Sequence, residues 1–335
     1  MTTMLAQVLH EFGTPSGFRL ERVTRPVAGP GRVLVRVDAT SVNVADVKAR
    51  ALGHALDFVP SLPAVLGMDF AGVVAEVGRG VAGFAPGDRV FGCAGGVRGM
   101  PGALAEYIDA DARLVAPAPT RIGATAAAAL PLVGITAYEA LVDRAGVRAG
   151  QHVLVHGGTG GVGHVGIQIA KALGARVSAT AGGPDRLATA RRLGADDVID
   201  YREEPVQDYV DRLTAGAGFD VVFDTGGGDN LDVSLRAARL NGHVVTTVAL
   251  QAYDLTTAHV RGLTLSVVYM LLPMLHDRGR ERHGEVLRDL ARLVDEGRLT
   301  PLVDSTYPLA QAPAAHERVE GGGAVGKVVV QVAEG

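Results

Sequence analysis

The sequence predicts an α/β protein made of a strand-rich lobe and an open parallel sheet. Three observations support this fold class. The first 122 residues contain short strands separated by Gly- and Pro-rich turns, residues 123–265 alternate strands with helices, and residues 266–335 are again strand-containing. A chain of 335 residues is long enough for about two domains. We therefore expect one lobe from both ends of the chain and a second lobe from its middle.

Short strands predict a compact, barrel-like β domain at the start of the chain. Residues 32–37 alternate charged and apolar side chains, as a half-buried strand does. Residues 70–77 and 88–91 are two further strands, and the turns at 78–80 and 86–88 contain Gly or Pro. Regularly punctuated short strands are typical of barrel-like folds.

Buried strands alternate with helices in the middle of the chain. The predicted strands are 152–156, 176–180, 197–200, 219–223 and 243–247, and the predicted helices begin near Val162, Pro184, Val206 and Asn230. Helices over 124–130 and 135–143, separated by Pro131, precede them. This alternation predicts a parallel sheet with crossover helices.

The last part of the chain predicts a β-branched strand over 263–269, an amphipathic helix over 284–296 and a final strand over 325–332. Gly297 directly after the helix is a favourable stop signal. We place residues 266–335 with the N-terminal lobe.

Composition and charge argue against several classes of protein. The formal net charge is −4 and no basic block is present, so the electrostatic footprint of a nucleic-acid-binding protein is missing. Cys93 is the only cysteine, which excludes an internal disulfide and a Cys-rich zinc site and fits a reducing cytoplasm. Residues 1–6 do not resemble a signal peptide, and no helical apolar stretch reaches about 18 residues. We expect a cytoplasmic protein without a membrane span.

Residues 158–163 read Gly-Thr-Gly-Gly-Val-Gly and lie between a predicted buried strand and an amphipathic helix. In that context the pattern is a dinucleotide-binding fingerprint. Gly158 permits the tight turn, Gly160 lets the backbone approach a pyrophosphate, and Gly163 lets the helix pack close to the strand. Gly161 and Val162 begin the helix, whose free N–H groups face the anion. The alternative is a glycine-rich turn with a structural role only.

Further motifs resemble the medium-chain dehydrogenase/reductase superfamily, and within it the zinc-free quinone oxidoreductase branch that includes zeta-crystallin. Besides the glycine stretch, they are residues 41–46 (SVNVAD), 66–72 (LGMDFAG), 86–90 (PGDRV), 134–138 (GITAY) and 193–196 (LGAD). The resemblance covers nearly the whole chain. It implies a GroES-like β-rich catalytic domain over 1–122 and 266–335, and a Rossmann doubly wound parallel sheet over 123–265.

The resemblance also predicts that no metal is bound. Zinc-dependent relatives carry Gly-His-Glu where this chain has Gly67-Met68-Asp69, and they carry a ligand cysteine near Asn43. Zinc needs three or four Cys, His or carboxylate ligands. His276 and His283 are seven residues apart, and a surface pair is the simpler reading of them. Without zinc, pocket hydrogen-bond donors must stabilise the oxyanion formed when hydride adds to a quinone or an enone.

The end of the second Rossmann strand favours NADPH. Residues 178–183 contain no acid that would repel a 2′-phosphate, and Arg186 follows within one turn. Tyr201 matches a family tyrosine near the adenosine ribose. Asp185 leaves NADH open, because it either starts the helix or faces the ribose. Arg186 is alternatively an ordinary exposed helix residue.

The resemblance places Asn43 and Asp46 in a loop at the nicotinamide, with Thr136 on a helix facing the cofactor. The Asn43 amide can donate to a substrate oxygen. Asp46 is alternatively an acid that caps the following helix, and Thr136 alternatively bonds its own helix backbone. His54 stands near a position where many quinone reductases have tyrosine, and is either a donor or proton shuttle or a plain loop residue. No dedicated proton donor is assigned.

Three more residues are expected at the cofactor. Thr225 follows the predicted strand 219–223 at its carboxyl end, where open α/β sheets bind ligands. The backbone around Val248 is expected to hold the carboxamide. Lys327 either reaches the cofactor or faces solvent.

The sequence thus predicts an NADPH-dependent oxidoreductase that transfers hydride to a quinone or an α,β-unsaturated carbonyl. The alternatives are an enoyl or carbonyl reductase serving one pathway, and a nucleotide-binding protein with little turnover. The expected partners are a small-molecule substrate and a second copy of the chain. The homodimer is expected because residues 263–269 resemble the strand through which family members pair, and an unpaired apolar edge invites aggregation.

Overall fold

The computed structural model describes residues 2–333 and contains sixteen strands and eleven α-helices in that range. The strands are β1 (Thr3–Leu9), β2 (Phe18–Thr24), β3 (Arg32–Val42), β4 (Ala64–Val65), β5 (Asp69–Val77), β6 (Arg89–Cys93), β7 (Tyr107–Asp111), β8 (Val115–Pro117), β9 (His152–Val155), β10 (Arg176–Ala181), β11 (Asp197–Asp200), β12 (Phe219–Asp224), β13 (Ala238–Thr246), β14 (Thr264–Val267), β15 (Val303–Pro308) and β16 (Lys327–Gln331). The helices are α1 (Val44–Leu52), α2 (Ala124–Ala128), α3 (Pro131–Tyr138), α4 (Gly161–Ala172), α5 (Pro184–Arg192), α6 (Val206–Thr214), α7 (Asn230–Ala237), α8 (Thr256–Val260), α9 (Leu272–His276), α10 (Arg280–Asp295) and α11 (Ala312–Glu320).

The chain divides into two compact units. Unit 1 comprises residues 1–132, 271–297 and 301–335, and unit 2 comprises 133–270 and 298–300. The sequence analysis placed the boundaries earlier, at 122/123 and 265/266. Two local interactions account for the difference: α2 packs on β3 and β5 of unit 1, and β14 pairs in parallel with β13 of unit 2.

Unit 1 is built on two sheets whose neighbouring strands are mostly antiparallel. A seven-stranded sheet has the order β15-β16-β3-β5-β6-β8, with β7 pairing β3, and a three-stranded sheet has the order β2-β1-β4. The long strand β3 pairs with β5, β7 and β16, so residues from distant parts of the chain meet along it. Leu9, Val42 and Val328 belong to the apolar core beside this region.

Unit 2 is a parallel sheet of six strands in the order β11-β10-β9-β12-β13-β14. The strand order reverses between β9 and β12, which is where doubly wound folds bind ligands at the carboxyl ends of the strands. Leu154 on β9 and Val222 on β12 are fully buried and pack with Phe219 and Tyr209. The predicted α/β fold class, with a strand-rich unit and a doubly wound parallel sheet, is confirmed.

The predicted elements of unit 2 lie close to the observed ones. The helices predicted near Val162, Pro184 and Val206 begin at Gly161, Pro184 and Val206. The helix predicted over 135–143 differs, because α3 ends at Tyr138 and continues as a π-helical turn over Glu139–Arg144. The last parallel strand covers only Thr264–Val267 instead of 263–269. In residues 2–333 no helix combines the length and the hydropathy that crossing a bilayer requires.

Candidate cofactor and substrate site

The glycine stretch forms a tight turn between β9 and α4. The Gly158 N–H donates to the Thr180 carbonyl oxygen over 2.8 Å, which ties the turn to the end of β10. The Gly160 N–H donates to the Gly157 carbonyl oxygen over 2.9 Å, and Gly160 then serves as the N-cap of α4. The pattern therefore lies at the junction of strand and helix that a dinucleotide fingerprint requires.

The glycines of this turn have different surroundings. A Cβ atom at Gly163 would overlap the Gly157 carbonyl oxygen, and a Cβ at Gly158 would lie 2.9 Å from the Ala179 Cβ. These two positions need glycine because backbone and strand approach closely. A Cβ at Gly160 would meet only the Gly157 carbonyl oxygen, at 3.3 Å. The outer side of Gly160 is thus open enough for a ligand group.

The start of α4 offers donors to an anion. The first backbone bond that closes a full helical turn runs from the His164 N–H to the Gly160 carbonyl oxygen, at 3.1 Å. The N–H groups of Gly161, Val162 and Gly163 precede it and have no acceptor within the helix. Together with the helix dipole they favour a negative charge at this end. The residues present therefore fit a dinucleotide pyrophosphate.

Asp224 organises the loop that follows β12, a role that the sequence analysis missed. Its carboxylate is fully buried and accepts hydrogen bonds from the Gly226 and Gly227 N–H groups, each at 3.1 Å. The predicted residue Thr225 donates its hydroxyl to the His156 carbonyl oxygen at 2.7 Å, so its side chain joins this loop to the end of β9. The Val248 N–H donates to the Thr246 hydroxyl at 3.3 Å.

His156 is a second residue that the sequence analysis did not select. It lies directly before the glycine turn, is buried, and has no partner for Nε2 within residues 2–333. Burial lowers the pKa of His156 to about 4, although the nearby Asp224 carboxylate acts in the opposite direction. The imidazole is therefore neutral at physiological pH.

Arg202, which the sequence analysis did not select, follows β11 and lies against the residues at the tip of β10. A Cβ at Gly182 would lie 3.0 Å from Nε of Arg202, and one at Gly183 would overlap the same guanidinium. Asp200 anchors this arrangement, because its carboxylate accepts the Gly183 N–H at 2.9 Å and the Arg202 N–H at 3.1 Å. Tyr201 is 60% exposed beside it. The signal available in the sequence was the position of Arg202 just past the strand next to β10.

In unit 1, the structure brings three predicted residues together near Asp69, namely Asn43, Asp46 and Lys327. The Asn43 Nδ2 donates to Asp69 Oδ2 at 2.9 Å, and the Lys327 ammonium donates to Asn43 Oδ1. Lys327 also donates to the Val42 carbonyl oxygen at 3.1 Å and lies 3.6 Å from Asp69 Oδ2. All of these side chains are buried, so the alternative in which Lys327 faces solvent is wrong.

Asp46 caps helix α1, which is the alternative role that the sequence analysis gave for this residue. Its Oδ2 accepts the backbone N–H of Asn43 at 2.9 Å, and its Oδ1 has no partner within residues 2–333. Burial raises the pKa of Asp46 to about 6, with the Asp69 charge adding to the rise and the Asn43 N–H and Lys327 opposing it. Because the cap uses only Oδ2, Asp46 can cap α1 and still take part in the site through Oδ1.

The remaining predicted residues lie apart from this group. His54 is exposed in a short 3-10 turn after α1, with its ring edge-on to Phe12 at 5.0 Å. Thr136 is buried in the part of α3 that belongs to unit 2. Met68, at the position of the ligand histidine in zinc-dependent relatives, is completely buried. Among residues 2–333 no group of three or more His, Cys, Asp or Glu side chains is placed to hold a metal ion.

Two family models match the chain. Residues 29–120 match "Alcohol dehydrogenase GroES-like domain" and residues 193–330 match "Zinc-binding dehydrogenase". The chloroplast envelope quinone oxidoreductase homolog of Arabidopsis thaliana is 32% identical over 93% of this chain and 94% of its own length. This chain belongs to the medium-chain dehydrogenase/reductase superfamily. The similarity to a quinone oxidoreductase homolog agrees with the branch of the superfamily that the sequence analysis predicted.

Solved medium-chain dehydrogenase/reductase structures resemble the whole chain. An alcohol dehydrogenase superfamily protein from Novosphingobium aromaticivorans is 43% identical, with a TM-score of 0.94 over 98% of this chain and 100% of that one. An NAD-dependent alcohol dehydrogenase is 34% identical, with a TM-score of 0.89 and the same coverage. The mycobacterial protein Rv1454c complexed with NADPH is 30% identical, with a TM-score of 0.86, again over 98% and 100%.

Other relatives are much longer proteins. The spectinabilin polyketide synthase system protein NorB of Streptomyces orinoci is 39% identical over 90% of this chain, which spans 13% of that protein. The mycoketide-CoA synthase of Mycobacterium tuberculosis is 35% identical over 95% of this chain, which spans 7% of it. The chain is therefore similar to one segment of these synthases.

Proposed function

We propose that this oxidoreductase uses NADPH to reduce a conjugated carbonyl acceptor, either a quinone or an α,β-unsaturated carbonyl compound. The bound cofactor would supply a hydride from the nicotinamide. The chain would hold the pyrophosphate at the start of α4, through the N–H groups of Gly161, Val162 and Gly163. The rest of the cofactor would be held in part by Thr136, Thr225 and the backbone at Val248.

The observation that carries the choice of acceptor is the Asn43 amide. Its Nδ2 has two hydrogens, of which one is donated to Asp69. The second hydrogen would donate to the acceptor oxygen as negative charge develops there. A quinone or enone delocalises that charge, so a fixed N–H donor can stabilise it.

The cationic tip of β10 supports the preference for NADPH. Arg202 lies against Gly183 and pairs with Asp200 at 3.3 Å, Arg186 follows on α5, and β10 itself ends without an acid. A guanidinium pairs well with a phosphate. The similar Rv1454c structure is complexed with NADPH, whereas another similar structure is described as NAD-dependent. We assign the 2′-phosphate to Arg186, Arg202 and Tyr201.

The acceptor class is tested by steady-state kinetics with NADPH and three acceptors: a simple benzoquinone, an enone and an enoyl thioester. We expect turnover with the quinone or the enone, measured by loss of nicotinamide absorbance. Reduction of none of them, together with oxidation of a saturated alcohol by NADP, would contradict the proposal. Tight NADPH binding without any turnover would instead support a nucleotide-binding protein.

The cofactor preference is tested by Arg202→Gln and Arg186→Gln. Each change should raise the KM for NADPH about tenfold, since a lost charge-assisted hydrogen bond is worth about 1.5–3 kcal/mol. The KM for NADH should stay within about twofold because NADH lacks the phosphate. Arg191→Gln, which alters an exposed residue of the same helix, is the matched control. If the KM values for NADPH and NADH rose equally, the assignment of the 2′-phosphate to these arginines would be wrong.

An enoyl thioester is a second candidate acceptor, because two relatives that match 90% or more of this chain are named as polyketide or mycoketide synthases. A kcat/KM at least tenfold higher for the enoyl thioester than for the quinone and the enone would favour it.

A homodimer is also part of the proposal. In residues 2–333, β14 has a paired strand on one side only, and Val267 and Tyr269 beside it are 48% and 38% exposed. A second copy pairing at this edge would cover these side chains. Light scattering at micromolar concentration should give a dimer, and Val267→Lys should give a monomer. A monomeric wild type would contradict this part.

A further inference from the structure

Four buried polar side chains in unit 1 form one connected group: Asn43, Asp46, Asp69 and Lys327. We call it the Asp69 cluster. Asp69 is its centre, because Oδ1 accepts the Leu132 N–H at 2.8 Å and Oδ2 accepts the Ser41 hydroxyl at 2.8 Å and the Asn43 amide at 2.9 Å. A buried carboxylate and a buried ammonium are tolerated only when they are paired and hydrogen-bonded.

The two neighbours of Asn43 fix the orientation of its amide. Lys327 carries only donors, so the atom of Asn43 that it contacts must be the carbonyl oxygen. The Asp69 carboxylate offers acceptor oxygens, so the atom facing it must be the amide nitrogen. The flipped amide would place an NH2 group against an ammonium and an oxygen against a carboxylate. The Asn43 oxygen therefore faces Lys327, and its Nδ2 keeps one hydrogen that Asp69 does not take.

The ammonium also changes the strength of that donor. A positive charge bonded to Oδ1 draws electron density from the amide and makes its N–H hydrogens more acidic, as in other cooperative hydrogen-bond chains. The low-dielectric surroundings increase this effect. Lys327 lies 284 residues from Asn43 in the chain, and β16 brings it there by pairing antiparallel with β3, where Val328 is opposite Val42.

We infer that Lys327 is a positioning residue for Asn43: it orients and polarises the amide whose second N–H stabilises the oxyanion of the acceptor. This inference rests on the proposed function, in which Asn43 meets the acceptor oxygen. It assigns Lys327 to the substrate side of the reaction, rather than to the cofactor as the sequence analysis considered. A purely structural lysine would serve only to balance the charge of Asp69.

The kinetic test uses Lys327→Met, which keeps the length of the side chain and removes its charge. We expect kcat to fall about 10- to 100-fold, less than the loss of a whole oxyanion donor, which is about 100- to 1,000-fold. The KM for NADPH should stay within about twofold, because the oxyanion forms only on the acceptor. Lys171→Met removes a surface lysine that pairs with Asp196 and is the matched control, with unchanged kcat.

The double variant Lys327→Met/Asp69→Asn separates positioning from charge balance. It removes both charges, so a Lys327→Met protein that folds poorly should regain its stability in the double variant. If Lys327 acts through Asn43, the double variant folds and its kcat stays well below that of Asp69→Asn alone, which measures the contribution of Asp69 to the orientation of Asn43. Recovery of kcat to within about threefold of the wild type would show that charge balance was its only role, and would overturn the inference.

A spectroscopic test does not depend on activity. The chain has only three asparagines, Asn43, Asn230 and Asn241, so Asn-selective 15N labelling gives three side-chain amides. The Asn43 amide should be assigned by its loss in Asn43→Asp, and both its nitrogen and hydrogen shifts should move in Lys327→Met while the other two amides stay in place. If the wild type reduces none of the acceptors, the proposed function fails while this measurement still decides the positioning. An Asn43 amide that does not move in Lys327→Met would overturn the inference.

Discussion

At the scale of single residues, the same residue type serves opposite needs within one turn. Gly163 is required because backbone atoms crowd its Cβ position, whereas Gly160 faces open space where a ligand is expected. Sequence patterns treat the two glycines alike. The structure separates them, and so predicts which substitution damages the protein and which damages binding.

Gly163→Ala should lower the free energy of unfolding by about 1–3 kcal/mol, because the new methyl group overlaps the Gly157 carbonyl and forces the backbone to move. Gly160→Ala should change it by no more than about 1 kcal/mol, the effect of alanine at an N-cap. Gly160→Ala should nevertheless weaken NADPH binding at least about tenfold, since its methyl group would occupy space where the pyrophosphate is proposed to bind. Urea unfolding and fluorescence titration measure the two effects, and similar losses of stability in both variants would contradict the assignment.

Three buried histidines make the stability depend on pH. Burial lowers the pKa of His316 to about 3, with the Arg50 guanidinium adding to the effect, and burial lowers the pKa values of His283 and His156 to about 4. Both ring nitrogens of His316 lack partners within residues 2–333. Because the unfolded chain protonates these rings near pH 6.5 and the folded chain does not, stability falls as the pH drops from about 6.5 toward 4.

Lowering the pH from 7 to 5 should therefore reduce the free energy of unfolding by about 2 kcal/mol for each of these histidines. His316→Leu should reduce the difference between the two pH values by that amount. Urea titrations of wild type, His316→Leu and His283→Leu at both pH values provide the measurement. An unchanged pH dependence in His316→Leu would show that this ring is already protonated or solvated in the folded state.

At the scale of elements, an ion-pair group attaches the start of α10 to the end of β7. Asp111 accepts the Arg280 guanidinium at 2.8 Å and the Arg113 guanidinium at 2.7 Å. Burial alone would raise the pKa of Asp111, but the bonds from Arg113 and Arg280 outweigh it and hold the pKa at about 2. The stabilisation is therefore present above about pH 4 and lost as the pH falls through 2.

Asp111→Asn should destabilise the protein by about 3 kcal/mol at pH 7, because it leaves the mostly buried Arg280 with only the exposed Asp277 as a charged partner. Asp277→Asn is the matched control: Asp277 contacts the same two arginines but is 63% exposed, so we expect a loss below about 1 kcal/mol. Chemical denaturation of both variants tests the difference. Equal losses would mean that burial does not govern this ion pair.

At the scale of the whole molecule, each unit carries its own group of candidate functional residues. Unit 2 holds the glycine turn and the arginines of the β10 tip, and unit 1 holds the Asp69 cluster. The proposed binding of NADPH to the folded protein alone would stabilise it by mass action. At a concentration 100 times its Kd the expected gain is about 2.7 kcal/mol.

Thermal unfolding with and without NADPH measures this gain, and hydrogen exchange locates it. We expect the added protection of backbone N–H groups at residues 157–164 and 182–183. NADH at the same concentration should raise the midpoint less, and Gly160→Ala should abolish most of the NADPH effect. A midpoint that saturating NADPH leaves unchanged would contradict the cofactor assignment.

Local patterns in the sequence were sufficient for much of the fold. All four helix starts predicted in unit 2 fall within one residue of the observed ones, and the strand–turn–helix context of residues 158–163 is present. Such features depend on side-chain periodicity and turn chemistry over a few neighbouring residues. The superfamily, too, was identified from short motifs, each of which consists of a few neighbouring residues.

Only the tertiary structure decided the environment of individual site residues. Sequence reasoning left Lys327 between cofactor and solvent, and pairing of β16 with β3 placed it on Asn43 instead. Arg202 became a candidate phosphate ligand only because β11 lies beside β10 in the sheet. The hydrogen bonds of these site residues connect positions that are distant in the chain. A local sequence pattern therefore carries no information about the partners, which are set by strand pairing and packing.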